Sequence, residues 1–144
     1  MSDALTVRVK NHLGELERVG GAIEAFGAAH RLPARAVFDL TLAVDEVLTN
    51  IIAYAFDDGG EHEIVVRVSM DDPARRVVTV EVEDDGHPFD PLQVAPPQLD
   101  RPLDERAIGG LGMHLVRKVT DSLAYRREQG KNRLVMRKRI ATQQ

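Results

Sequence analysis

Leu40, Ala43, Val44, Val47, Leu48, Ile51, Ile52 and Ala55 form an apolar stripe at spacings of three and four residues, the strongest helical signal in the chain. A helix with one such side has to lay it on another apolar surface, and that surface is encoded just downstream. After the break "DDGGEH" come two alternating runs, "EIVVRVSM" and "RRVVTVEVED", joined around "DDPAR". Their period of two predicts an antiparallel pair of strands with one face buried. Helix laid on sheet is therefore the expected architecture.

The remaining elements fit the same plan. Leu5, Val7 and Val9 alternate as in a short first strand. From about Asn11 to Ala29 the apolar residues Leu13, Leu16, Val19, Ala22, Ile23 and Phe26 recur at helical spacing, and Pro33 then suits the first turn of the striped helix. "PLQVAPPQLDRPLDERAI" has no useful periodicity and reads as a surface loop of 18 residues, long enough to suggest function. "GGLGMHLVRKVTD" reads as a glycine turn opening a helix, and "SLAYRREQGKNRLVMRKRI" as a closing hairpin turned by Gly130 and Asn132. No internal repeat stands out, so a single domain over residues 1–144 is expected.

Composition narrows the function. A net charge of −4 gives no general attraction to nucleic acid or anionic membrane. With no cysteine there is neither disulfide nor thiolate metal site, and His12, His30, His62, His87 and His114 lack the close pairing of a histidine metal motif. The N-terminus has no apolar signal core and no segment reaches the length of a spanning helix, so a soluble, cytoplasmic protein is the expectation.

Three constellations can carry chemistry. Glu46 and Asn50, four apart at the edge of the stripe, project together. A carboxylate there can accept a proton and a neighbouring amide oxygen can ligate Mg²⁺, although the same pair also suits a solvated helix flank. In "EDDGHPFD", Asp84 shares the parity of Val78, Val80 and Val82 and therefore looks inward at the strand end. An ionised carboxylate only accepts hydrogen bonds, which suits the exocyclic amine of a flat ligand; an ordinary Asp-Gly turn is the alternative. In "IGGLGMHLV", Gly109, Gly110 and Gly112 precede a helix, as in a phosphate site or a tight turn.

In this order, E-x-x-x-N on a helix, D-x-G after a strand, a long loop and G-G-L-G-M opening a helix resemble the N, G1 and G2 boxes of the GHKL superfamily, the ATPase domains of histidine kinases and gyrase-like enzymes. Within it the chain is most similar to the bacterial anti-sigma-factor serine/threonine kinases of partner-switching systems, on "VDEVLTNIIAYAF", "VEDDGHPFDP" and "GGLGMHLVRKVTDSLAYRREQGKNRLVMRK". The resemblance implies an α+β two-layer sandwich of the Bergerat type: a mixed, mainly antiparallel sheet with helices on one face. It implies ATP and Mg²⁺ as cofactors, Glu46 as general base, and Asn50 as metal ligand. Asp84 and Gly86 would meet adenine, and Gly110, Leu111, Gly112 and Met113 the phosphates. The proline-rich loop would be the lid, with Arg101 or Arg106 at the terminal phosphate.

The implied partners are a small anti-sigma-factor antagonist as phosphorylation substrate, a sigma factor or other output protein, and a second copy in a homodimer. Tyr54, Phe56 and Pro88 depart from the family pattern, and Val135 stands where a threonine near adenine is frequent. Other readings are an ATP-dependent regulatory protein without phosphotransfer and a histidine-kinase-like catalytic domain acting in trans. A further alternative is nucleic-acid binding through Arg126, Arg127, Lys131, Arg133, Arg137, Lys138 and Arg139.

Overall fold

The computed structural model describes residues 4–72, 76–93 and 110–140. Strand β1 (Ala4–Lys10) leads through a 3-10 turn (Leu13–Glu15) into α1 (Leu16–Ala29) and α2 (Ala34–Tyr54). Strands β2 (Glu63–Asp72) and β3 (Val77–Asp84) follow, then a 3-10 turn (Pro91–Gln93), α3 (Gly110–Val119), β4 (Ser122–Glu128) and β5 (Lys131–Arg139).

The striped helix forms where expected, with Pro33 one position ahead of the first helical residue. The first helix starts later than its periodicity suggested, because Asn11 is occupied elsewhere: its Oδ1 accepts the His62 N–H at 2.8 Å and its Nδ2 donates to the Gly60 carbonyl at 3.1 Å. The proline-rich loop beyond Gln93 lies outside the described residues.

The strands form one sheet in the order β1-β2-β3-β5-β4, with every described pairing antiparallel. The two-layer sandwich is as expected, but among the described strands no parallel pair accompanies it. The crossover after β3 carries α3 to the edge strand β4, and the hairpin then inserts β5, running opposite to both neighbours, between β4 and β3. Gln129 and Gly130, both at positive φ, make that hairpin turn. Asn132, expected in the turn, instead belongs to β5.

Alternation divides the sheet into two faces. Val7, Val66, Val82, Leu134 and Tyr125 form one inner row across all five strands, and Leu5, Val68, Val80, Met136 and Leu123 form the next. These rows meet the apolar sides of α1, α2 and α3, including Val19, Ile23, Val44, Val47, Leu48 and Val116, in one core. Burying a side chain of this kind contributes about 1.5–3 kcal/mol, which is why the helices stay on this face.

The outer face is an ion-pair network. Glu83 is 5% exposed between Arg67 and Arg133, each 3.1 Å away. The basic cluster of the sequence is divided by the same alternation. Arg133 is held by acidic neighbours on the outer face, while Arg127 and Lys138 turn inward, Lys138 to Asp39 at 3.3 Å and to the Val119 carbonyl at 2.8 Å. Arg126, Lys131, Arg133, Arg137 and Arg139 share the outer face, where Glu81, Glu83 and Glu128 pair with Arg126, Lys131 and Arg133.

Candidate functional site

Residues from four elements meet where α2 ends above the far rim of the sheet. Glu46 and Asn50 occupy one flank of α2, and the helix fixes their relation: Asn50 Nδ2 donates to the Glu46 carbonyl at 3.0 Å. Glu46 remains partly exposed, whereas Asn50 is 1% exposed and its Oδ1 finds no hydrogen-bond partner among the described residues. A buried amide oxygen without a partner carries a desolvation cost, so this acceptor stands ready for a cation or donor. Beside it, burial raises the Asp45 carboxyl above the ordinary aspartate range, with the charge of Glu46 adding to the effect.

Asp84 looks inward, as its strand parity predicts. The residue ends β3 on the inner face at 2% exposure, and its Oδ1 accepts the Gly86 N–H and Asn132 Nδ2, both at 2.9 Å. Burial lifts its carboxyl above the usual range, opposed first by the Asn132 and then by the Gly86 hydrogen bond. Gly86 is there because nothing larger fits: a Cβ would collide with the carbonyl oxygen and Cβ of Ala55. The His87 N–H donates to that carbonyl at 2.9 Å, tying the turn after β3 to the end of α2. Asp84, Ile51, Val82, Phe89, Tyr125 and Leu134 line a narrow crevice with essentially no room for a water-sized molecule. It is far smaller than the roughly 300–1,000 Å³ of small-molecule pockets, so these described residues do not enclose a ligand by themselves.

The other expected site residues distribute differently. Gly110, Leu111 and Gly112 form the first turn of α3, whose backbone N–H groups lack helical acceptors. Met113 is 2% exposed and packs in the core, so its side chain is structural. Arg101 and Arg106 lie outside the described residues. Val135 faces outward opposite Glu81 and Ala124, so the position flagged as near adenine is on the wrong side of the sheet.

At the rim beside Asp84, the inward polar residue of β5 is Asn132. Its Oδ1 accepts from Tyr125 Oη at 2.6 Å and Arg127 Nη1 at 3.1 Å. The sequence motifs place none of Asn132, Tyr125 and Arg127 beside Asp84. The alternation Leu123, Tyr125, Arg127 carried a signal for two of them, but Asn132 beside Gly130 looks like a turn residue.

The site's chemistry follows from its donors. Among the described residues no group of three or more acidic or histidine side chains could hold a metal unaided. The unpartnered Asn50 Oδ1 fits Mg²⁺ that shares its shell with phosphate oxygens and water.

The family described as "Histidine kinase-like ATPase domain" matches residues 9–138. The serine/threonine-protein kinase BtrW of Bordetella bronchiseptica is 36% identical over 114 residues, covering 79% of this chain and 78% of that protein. The serine-protein kinase RsbW of Listeria monocytogenes is 28% identical over 130 residues, covering 86% and 80%. Among solved structures, the RsbU and RsbW domains of a Mycobacterium tuberculosis protein align with TM-score 0.64 at 10% identity. That alignment covers 95% of this chain and about a third, 32%, of the other. A blue-light activated histidine kinase domain from Erythrobacter litoralis aligns with TM-score 0.56 at 20% identity, covering 89% and 60%. The last two likenesses concern the fold. No helix of the described residues is long and apolar enough to cross a membrane.

Proposed function

Because this chain belongs to the histidine kinase-like ATPase domain family, we propose that it binds Mg-ATP and transfers the terminal phosphoryl group to a serine or threonine of a small anti-sigma-factor antagonist. The observation that carries this reading is the pairing, one helical turn apart, of a reachable carboxylate at Glu46 with a buried, unpartnered acceptor at Asn50. Its similarity to protein kinases named for serine and threonine supports the acceptor class.

Each residue has a distinct task. Asp84 accepts a hydrogen bond from the exocyclic amine of adenine, and Gly86, packed against Ala55, fixes the turn beside the ring. The first turn of α3 offers N–H groups to phosphate oxygens, and Asn50 Oδ1 would hold Mg²⁺, whose charge offsets that of the phosphates. Glu46 takes the proton from the attacking hydroxyl. Phosphoryl transfer needs mainly positioning and charge stabilisation, so a base, a cation ligand and backbone donors suffice.

Phosphate added to the antagonist puts negative charge on its contact surface and weakens its hold on the kinase, freeing the kinase to capture a sigma factor or other output protein. A second copy completing a homodimer belongs to the same proposal.

The test is phosphotransfer from labelled ATP to antagonists encoded beside this protein. Labelled serine or threonine is expected with the wild-type chain. Nucleotide binding without any labelled product would assign the chain instead to regulation by ATP without transfer.

A further inference from the structure

The last inner row of the sheet runs Val9, Ile64, Asp84, Asn132, Arg127 across β1, β2, β3, β5 and β4. Three polar side chains in line at the rim of an apolar face need partners, and they supply them to one another. Asn132 Oδ1 receives Tyr125 Oη at 2.6 Å, Arg127 Nη1 at 3.1 Å and the Phe89 N–H at 3.3 Å. Donors on that side leave only one orientation for the amide, with Nδ2 toward Asp84 Oδ1 at 2.9 Å and the His87 carbonyl at 2.8 Å. The same Arg127 Nη1 donates to the Gly86 carbonyl at 2.8 Å. One guanidinium on the edge strand thus orients both the amide that grips Asp84 and the peptide that follows it.

We propose that Arg127 is a positioning residue for base recognition. Acting through Asn132 and Gly86, it holds Asp84 with Oδ1 committed inside the protein and Oδ2 presented as an acceptor to the amine of a purine. The inference rests on Asp84 as the base receptor, as proposed above, and it assigns Arg127 no contact with the nucleotide.

Electrostatics supports the same role. The guanidinium charge opposes the burial and the Asp85 charge that both favour a protonated Asp84. The other charged groups around this set are Asp90 after the turn and His62, whose Nδ1 faces Asp85 at 3.2 Å. A receptor kept ionised and in one orientation discriminates an amine from a carbonyl; a loose or protonated one does not.

The test compares equilibrium binding of ATP and of inosine triphosphate, which has a carbonyl in place of the amine. The full chain is used with Mg²⁺, as wild type, Arg127→Met, Arg127→Lys and Asp84→Asn, with thermal unfolding of each. Arg127→Met should weaken ATP by about ten- to a hundredfold, while inosine triphosphate changes by less than about threefold, compressing the ratio. Arg127→Lys, which keeps the charge but loses the fork, should give an intermediate ratio. Equal weakening of both nucleotides, or a wild-type ratio, would overturn the role. Should the Met variant not fold, the Lys variant decides alone: a reduced ratio supports the proposal and an unchanged one overturns it. If Asp84→Asn binds ATP like wild type, the base assignment fails and this inference with it. Loss of ATP in Asp84→Asn beside an unchanged Arg127→Met ratio sinks only the inference.

Discussion

Gly86 packs its α-carbon so tightly against the last turn of α2 that a Cβ there would overlap the Ala55 carbonyl oxygen and lie 2.8 Å from the Ala55 Cβ. Because that carbonyl also accepts the His87 N–H, the helix bearing Glu46 and Asn50 and the turn bearing Asp84 are joined at one point.

Gly86→Ala should therefore harm stability and binding together. The obstacle is backbone, which cannot rotate away, and overpacking of this kind costs about 1–3 kcal/mol. Thermal unfolding and nucleotide titration should show a lowered midpoint and weaker ATP binding in the same variant.

Glu46→Ala separates binding from chemistry. The side chain is partly exposed on the flank of α2 and makes no hydrogen bond to Asp84 or its partners. ATP affinity should stay within about threefold of wild type, while transfer falls by at least about a hundredfold, as expected for loss of a general base. Unaltered transfer would remove Glu46 from the mechanism.

Asn50→Leu trades function for stability. It removes a buried acceptor that has no partner and one hydrogen bond to a carbonyl already used by the helix, so the nucleotide-free protein should gain roughly 1 kcal/mol. ATP affinity measured with Mg²⁺ should drop toward the value in a chelator, where wild type and variant should agree.

Asp84→Asn should behave similarly in the absence of nucleotide. A carboxyl raised in the folded state favours folding at low pH, and that contribution is lost as pH rises through the folded value. The variant is free of this penalty. Its unfolding temperature should exceed that of wild type at about pH 8, and the gap should close toward about pH 4. ATP affinity should be impaired throughout.

His62 gives a second handle on pH, with the same sign. Its Nε2 faces Asp58 at 2.9 Å, its Nδ1 faces Asp85 at 3.2 Å, and the ring stacks on Phe56 with centroids 4.4 Å apart. Both nitrogens face carboxylates, which only accept, an arrangement that favours the imidazolium. The Asp58 hydrogen bond foremost holds its protonation above the ordinary histidine value. Its contribution to stability is full below about pH 6.5, the unfolded value, and is lost as pH rises through the higher folded one. The unfolding temperature of wild type should exceed that of His62→Ala more at about pH 6 than at about pH 9.

Much of this was legible from local pattern. The stripe along α2, the alternation of β2 and β3, and the inward parity of Asp84 all follow from periodicities that a dozen residues reveal. Asn132 was read as a turn residue because a polar side chain beside glycine usually is one, and only the positive φ at Gln129 and Gly130 moves the turn two positions back. Met113 looked like part of a phosphate loop, yet α3 presents that side chain to the core. Val135 was assigned to the nucleotide side, and strand parity sends it to the other.

By itself, the order of residues determined which side of every element is apolar, and with it the flank carrying Glu46 and Asn50 and the face carrying Asp84. Tertiary structure decided what stands next to them. The β3–β5 and β5–β4 registers bring Asn132 and Arg127 into line with Asp84, and the approach of Gly86 to Ala55 seats that line against α2. The physical reason is range. Side-chain periodicity is a property of neighbouring residues, whereas the β3–β5 register joins residues 48 positions apart, and a slip of a single position would turn Asn132 to the solvent face.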